Sequence, residues 1–182
     1  MVLVFAVVGR SGSGKTVTIE YLISQLFAEG YKIGAIKHIH HEGFTIDTVG
    51  KNTWRYAQAG AEIVVAISPN EEVIIKKKMR ETENLEQIID ILKKDEIDII
   101  FIEGYHGLIA KKADVFKILT AKNNVCLQEI LLEIDEPIFA ITGLIAKTLE
   151  PPVTKYPIIK IPEEGKVLVD LIKKQLLTSK KS

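Results

Sequence analysis

The residues with the clearest chemistry form one octapeptide, Gly9-Arg10-Ser11-Gly12-Ser13-Gly14-Lys15-Thr16, which fits the pattern G-x-x-x-x-G-K-[S/T] at every fixed position. In such a loop the glycines let the backbone curl until successive N–H groups point inward at phosphate oxygens. We expect Lys15 to reach the β- and γ-phosphates of a nucleotide and the Thr16 hydroxyl to bind Mg²⁺. The spacing therefore predicts a P-loop that binds a nucleoside triphosphate.

A P-loop needs a further acid to hold the magnesium ion, and the sequence offers two candidates. Glu103 directly follows the predicted strand 97–102, at the strand end where P-loop proteins usually carry an Asp. Asp47 competes for the same role because it lies in the loop after the second predicted strand. We predict that Thr16, Glu103 and Asp47 serve as metal ligands, the two acids sharing the magnesium shell.

Four histidines also follow predicted strand ends, which is the edge where open α/β sheets bind ligands. Three of them lie close together as His38, His40 and His41, and the fourth is His106. Adjacent histidines on an extended segment point in opposite directions, and no cysteine accompanies them. We therefore favour a loop that contacts phosphate or a partner over a transition-metal site.

The elements that must position these residues alternate between strands and helices. Buried apolar runs and period-2 patterns predict strands at 2–8, 31–37, 61–68, 73–78, 97–102, 114–120, 137–142 and 156–161. Helical spacing of apolar residues predicts helices at 15–28, 51–59, 84–94, 124–132 and 163–177, with Asn84 and Gln87 at capping-box spacing. We expect an α/β fold of the P-loop NTPase type, a three-layer sandwich with a mostly parallel, mixed sheet and a β-hairpin insertion.

Composition limits the function classes. The chain has 182 residues, which predicts a single domain over 1–178 with a frayed tail at 179–182. Lysine and arginine number 24, as do aspartate and glutamate, and this balance argues against a nucleic-acid binder. The lone Cys126 excludes a disulfide framework, and no apolar run is long enough to span a membrane. We expect a cytoplasmic protein.

The base of the nucleotide is not assigned by any motif. Guanine-specific P-loop proteins usually carry N-K-x-D after a late strand, and that tetrapeptide is absent from the sequence. The segment Ala121-Lys122-Asn123-Asn124 follows a strand at a suitable place, but it lacks the Asp that pairs with the N1 and N2 hydrogens of guanine. Spacing alone therefore leaves the base open.

Beyond the P-loop, the sequence resembles the molybdopterin-guanine dinucleotide biosynthesis protein B (MobB) family over about residues 2–120. The resemblance rests on Lys37-His38-Ile39-His40-His41, then Asp47, Gly50-Lys51-Asn52-Thr53, Ala59-Gly60-Ala61 and Glu103-Gly104-Tyr105. Asn52 stands where the family usually has Asp, Thr53 where it has Ser, and Val49 where Pro is common. Asn52 removes a charge near the loop, whereas Thr53 keeps the hydroxyl.

The resemblance implies a GTP-binding accessory protein with weak Mg²⁺-dependent hydrolysis, similar to dimeric P-loop GTPases of the metallochaperone type. It implies a homodimer that assists the guanylyltransferase (MobA) attaching GMP to molybdopterin, with molybdopterin itself a further candidate ligand. Neither nucleic acid nor membrane is expected as a partner. The nucleotide-binding set then comprises Gly9, Arg10, Ser11, Gly12, Ser13, Gly14, Lys15, Thr16 and Val17, with Lys37 and His38 from the second strand end.

Catalysis is assigned to Lys15 and Arg10. An arginine finger supplied by a second copy is one way to accelerate hydrolysis, and Arg10 and Arg55 are the arginines to test. The competing functions are a P-loop small-molecule kinase, a nickel-type metal-insertion GTPase and an interaction module with a vestigial loop. Scarcity of arginine opposes the kinase, the lone cysteine opposes the metallochaperone, and intact Lys15 and Thr16 oppose the module.

Overall fold

The computed structural model describes residues 2–41, 43–77, 85–148 and 154–179. The chain divides into two compact units, one comprising Met1–His38 with Leu85–Ser182 and the other comprising Ile39–Asn84. The expected single domain over 1–178 stays a prediction. None of the helices in the described part of the chain is long and apolar enough to cross a bilayer.

The first unit contains a five-stranded sheet. Its strands are β1 (Leu3–Val8), β2 (Ile33–Lys37), β5 (Ile99–Glu103), β6 (Phe116–Thr120) and β7 (Ile138–Thr142). Their order is β2-β5-β1-β6-β7, and every neighbouring pair is parallel. The carboxyl ends of all five strands therefore lie at one edge of the sheet.

Helices cover both faces of this sheet, which confirms the predicted three-layer α/β fold. They are α1 (Lys15–Ala28), α3 (Leu85–Lys93), α4 (His106–Ile109), α5 (Asn124–Glu133) and α6 (Gly165–Ser179), with a 3-10 helix at Leu144–Lys147. Successive side chains of β1 point to opposite faces of the sheet and therefore belong to two separate hydrophobic cores. Leu3, Phe5 and Val7 pack with α1 and α6, whereas Val4, Ala6 and Val8 pack with α3, α4 and α5.

The second unit contains α2 (Asn52–Gln58) and the predicted hairpin, β3 (Ile63–Ile67) and β4 (Glu72–Lys76). The two strands are antiparallel, and Val65 lies opposite Ile74. They form a sheet of their own. The prediction of a hairpin insertion is therefore confirmed, but the antiparallel pair does not make the main sheet a mixed one.

The predicted strand at 156–161 is wrong. Only Ile158 bridges to the main sheet, opposite Ile141. The backbone of Ile141 bonds to the carbonyl of Pro157 and to the N–H of Ile159, and regular pairing goes no further. Pro157 has no N–H to extend the ladder. The predicted capping box and most of the predicted tail lie outside the described residues because Asn84 and 180–182 are not among them.

Candidate nucleotide-binding site

The P-loop connects the carboxyl end of β1 to the start of α1, as the sequence predicts. Gly9 has no room for a side chain, because a Cβ there would lie 2.2 Å from the Thr120 carbonyl oxygen. The Ser13 hydroxyl lies 2.6 Å from Oγ1 of Thr120, so the loop is anchored to β6 on its inner side. Helix α1 starts at Lys15, which directs the positive end of its dipole at the loop.

The Lys15 ammonium is folded back onto the loop. Its Nζ donates to the carbonyl oxygens of Gly9 at 2.9 Å and Arg10 at 3.1 Å. The pKa of Lys15 lies below its ordinary value, mainly because the side chain is partly buried. The carboxylate of Glu103 acts in the opposite direction and raises this pKa, whereas the charge of Lys37 lowers it further. A lysine placed in this way has its donors at the mouth of the loop, where an anionic phosphate would be a stronger acceptor than a carbonyl.

The structure brings two of the predicted metal ligands together. The Thr16 hydroxyl lies 3.2 Å from both carboxylate oxygens of Glu103. A hydroxyl and a carboxylate side by side are hard oxygen donors of the kind that bind Mg²⁺ together with nucleotide phosphates and water. The donor set of this corner of the site therefore fits magnesium.

Lys37 and His38 lie beside that corner because β2 is the parallel neighbour of β5. Lys37 and Glu103 are register partners, and Lys37 Nζ lies 3.1 Å from Glu103 Oε1. The His38 N–H donates to the Glu103 carbonyl oxygen, and the His38 ring stacks on Tyr105 with centroids 4.2 Å apart. Gly104, at φ +97°, permits this approach, since a Cβ there would lie 2.8 Å from that of His38. The second strand end thus reaches the site by backbone pairing.

Arg10 is held by an acid that sequence reasoning missed. Its Nη2 donates to Glu133 Oε1 at 2.9 Å. Nε2 of His106 lies 2.9 Å from the other oxygen of Glu133, without the geometry of a hydrogen bond. Glu133, the last residue of α5, therefore links the P-loop to the segment after β5. The pair spans 123 residues, and no local pattern signals it.

Asp47, the third predicted metal ligand, belongs to the second unit and has partners there. The Thr53 hydroxyl donates to its Oδ1 at 2.7 Å, and Lys77 Nζ lies 3.9 Å from Oδ2. The side chain is only 4% exposed. These contacts give the carboxylate a role in holding its own loop, and its role as a metal ligand stays a prediction.

His40 and His41 lie in the second unit, and both are exposed. Within the described ranges, no three His, Cys, Asp or Glu side chains form a group suited to a metal ion. Val17, in the first turn of α1, is exposed, and so is Arg55 in α2.

The segment after β6 lies over the P-loop. The end of the Lys122 side chain comes within 3.4 Å of the position of a Cβ on Gly12. Asn123 caps α5, because its side-chain oxygen accepts a hydrogen bond from the backbone N–H of Cys126 at 2.9 Å. The Asn123 side chain therefore has a structural role as the cap of α5. The segment follows β6, as the sequence predicts, and the contact of Lys122 with Gly12 has no signal in the sequence.

A parallel α/β sheet with this loop at its edge is the fold of the P-loop class. The family described as "Molybdopterin guanine dinucleotide synthesis protein B" (MobB) matches residues 4–141. The chain belongs to this family, as the resemblance implied.

Similar proteins agree with this assignment. The Molybdopterin-guanine dinucleotide biosynthesis adapter protein of Haemophilus influenzae is 30% identical over 135 residues, covering 74% of this chain and 71% of that protein. The protein of the same name from Escherichia coli K12 is 32% identical over 113 residues, covering 61% of this chain and 64% of that protein. The crystal structure of Bacillus subtilis MobB superposes with a TM-score of 0.73 at 25% identity, covering 95% of this chain and 97% of that one.

Proposed function

We propose that this chain is a GTP-binding adapter protein in the synthesis of molybdopterin guanine dinucleotide, with weak Mg²⁺-dependent hydrolysis of the nucleotide. The observation that carries the proposal is the contact of the Thr16 hydroxyl with the Glu103 carboxylate at the mouth of an intact P-loop. The family membership, over residues 4–141, supplies the biosynthetic context. The partner we propose is a MobA-like guanylyltransferase, with molybdopterin as a further candidate ligand.

The residues act on the nucleotide in distinct ways. Backbone N–H groups of the loop and the N-terminus of α1 bind the phosphates. Lys15 exchanges its two carbonyl partners for phosphate oxygens, and Thr16 with Glu103 holds Mg²⁺. When bound, the metal ion neutralises the charge that develops on the phosphates. The octapeptide contains no glutamine to orient water, which is consistent with slow hydrolysis.

Calorimetric titration with GTP, ATP and a molybdopterin-type pterin, with and without Mg²⁺, tests the proposal. We expect GTP to bind in preference to ATP, and Lys15→Ala to weaken binding by about 100-fold because the ammonium carries the phosphate charge. Lys94→Ala, at an exposed lysine just after α3, is the matched control. Preference for ATP would favour the kinase alternative, and binding of neither nucleotide would leave only an interaction module.

The same assay distinguishes the roles of the two candidate metal ligands, Glu103 and Asp47. Glu103→Gln should remove most of the Mg²⁺ stimulation of GTP binding, because the carboxylate beside Thr16 is lost. Asp47→Asn should mainly lower the melting temperature, because the contacts of Asp47 with Thr53 and Lys77 lie within its own unit. Loss of Mg²⁺ stimulation in Asp47→Asn at unchanged melting temperature would establish Asp47 as a metal ligand.

We also propose a homodimer, with the hairpin as its interface. One face of the hairpin carries exposed apolar side chains, namely Ile63, Val65 and Ile67 of β3 and Ile74 of β4. A two-stranded hairpin is marginally stable alone, and an apolar face of this kind usually packs against another surface. A second copy of the chain offers the same face, which is self-complementary about a two-fold axis.

A further inference from the structure

The carboxylate of Glu103 is already paired with a cation. Lys37 Nζ lies 3.1 Å from its Oε1, while the Thr16 hydroxyl contacts both oxygens. The Glu103 side chain is 15% exposed and that of Lys37 is 56% exposed. An acid placed to hold a divalent cation is thus neutralised by an ammonium group that reaches it from solvent.

The position of Lys37 follows from the sheet. Lys37 and Glu103 are partners in the parallel pairing of β2 with β5, so their side chains leave the sheet side by side. The pairing continues beyond them, because the His38 N–H donates to the Glu103 carbonyl oxygen at 2.9 Å. Backbone pairing therefore positions Lys37 beside the acid.

We propose that Lys37 is a built-in counter-cation, which neutralises Glu103 when the divalent ion is absent and is displaced from it when Mg²⁺ arrives with the nucleotide. The inference rests on the proposed nucleotide function. A bare carboxylate next to a triphosphate would repel it, and either an ammonium or a magnesium ion removes that repulsion. The two cations repel each other, so occupancy of Glu103 by one disfavours the other.

Two effects of opposite sign follow. Without metal, the charge of Lys37 favours nucleotide binding, whereas in the absence of nucleotide the same charge opposes the binding of a divalent ion at Glu103. Removing the charge should therefore weaken nucleotide binding in the absence of metal and strengthen divalent-ion binding in the absence of nucleotide. A purely structural role for Lys37 would change both in the same direction or neither.

The first measurement is the affinity for a fluorescent GTP analogue at low ionic strength, in EDTA and in Mg²⁺. We expect Lys37→Gln to bind the GTP analogue about tenfold more weakly than wild type in EDTA. In Mg²⁺ the loss of affinity should be much smaller, because the metal ion replaces the missing charge. Lys37→Arg should behave as wild type. The double variant K37Q/E103Q should recover most of the affinity in EDTA, because the uncompensated acid is also gone.

The matched control is Lys32→Gln. Lys32 immediately precedes the same strand and forms an exposed ion pair with Glu96 at 2.9 Å, at the far end from the P-loop. The Lys32→Gln variant should leave the affinity for the GTP analogue unchanged, both in EDTA and in Mg²⁺.

The second measurement is Mn²⁺ binding to the nucleotide-free protein, followed by electron paramagnetic resonance. We expect Lys37→Gln to bind Mn²⁺ more tightly than wild type, by about threefold or more.

Equal losses in EDTA and in Mg²⁺ would overturn the proposal, and would make Lys37 a direct phosphate ligand. Unchanged affinity in EDTA, or Mn²⁺ binding that is no tighter, would overturn it as well. If wild-type protein bound no nucleotide in either buffer, the proposed nucleotide function itself would fail. That result is distinct from a wild type that binds Mg²⁺–GTP while Lys37→Gln shows no selective loss. Should Lys37→Gln fold poorly, loss of the EDTA affinity in Lys37→Arg would also overturn the counter-cation role.

Discussion

Arg10 of the P-loop is tied to Glu133 at the end of α5, with Nη2 and Oε1 2.9 Å apart. The arginine that the sequence marks as catalytic therefore has a carboxylate partner before any phosphate arrives. Both side chains are about half exposed, so the ion pair is weak enough for a phosphate to replace it.

Freeing Arg10 should raise the rate of hydrolysis. In Glu133→Gln we expect GTP turnover to increase about twofold to fivefold. This factor corresponds to the small free energy of an exposed ion pair. Arg10→Ala should lose hydrolysis while keeping GTP affinity. Phosphate release under saturating Mg²⁺–GTP measures both, with Glu129→Gln on the same helix as control. Unchanged turnover in Arg10→Ala would discard the catalytic assignment.

Gly9 packs so closely against β6 that a larger residue at this position should destabilise the protein. In Gly9→Ala the new Cβ would meet the carbonyl and hydroxyl oxygens of Thr120 at 2.2 Å. We expect a loss of about 1–3 kcal/mol in the free energy of unfolding, measured by urea denaturation, together with weaker GTP binding. Gly107→Ala in α4 is the control, because no atom of the described residues lies within 4 Å of its Cβ position. Full stability in Gly9→Ala would contradict this account of the loop.

Stability should fall at acidic pH partly through Glu136. Hydrogen bonds from the Ile138 N–H, Lys155 and Tyr156 lower the pKa of this carboxyl to about 2. Since the folded-state pKa lies below the unfolded one, the stabilisation is present above pH 4.5 and is lost as pH falls towards 2. Glu136 is 55% exposed, so solvent screens the effect.

Melting temperatures of wild type and Glu136→Gln between pH 7 and pH 2 measure this contribution. We expect wild type to melt about 2–4 °C higher at pH 7, with the difference vanishing near pH 2. Glu163→Gln, an exposed acid just before α6, should melt as wild type throughout. A constant difference between wild type and Glu136→Gln at all pH values would show that packing, not charge, is responsible.

The hairpin face should decide the oligomeric state. In the double variant V65K/I74K, lysines replace a cross-strand apolar pair whose members are 52% and 55% exposed. We expect a monomer by light scattering where wild type is a dimer, because two charged faces repel. The variant L132K, on an exposed position of α5, is the control. A wild type that is monomeric at micromolar concentration, or a dimeric V65K/I74K, would rule out this interface.

The parts of the molecule that sequence alone predicted are those encoded in contiguous segments. The P-loop, the boundaries of α1 and the acid at the end of β5 depend on local periodicity and on one motif. The chain also pairs Glu103 with Thr16, across 87 residues, and this pair was predicted because both lie at ends of strands or loops on one sheet edge.

What could not be predicted depends on tertiary contacts without a local signature. Lys117 lies in β6 and is fully buried, its ammonium donating to the carbonyl oxygens of Lys112 and Glu136. Nothing in the sequence distinguishes it from a surface lysine. The segment 156–161 has the composition of a strand, but only Ile158 pairs, and the contact of Glu133 with Arg10 has no pattern at all.

The capping of α5 by Asn123 has a practical consequence. The capped N–H belongs to Cys126, which is the only cysteine in the chain and is partly exposed. A thiol-reactive fluorophore or spin label attached to the native chain would therefore lie four residues after Lys122, whose side chain comes close to Gly12 of the P-loop. The native chain thus offers a single labelling position on the helix that follows Lys122, where the proposed binding of a nucleotide can be tested without a cysteine substitution.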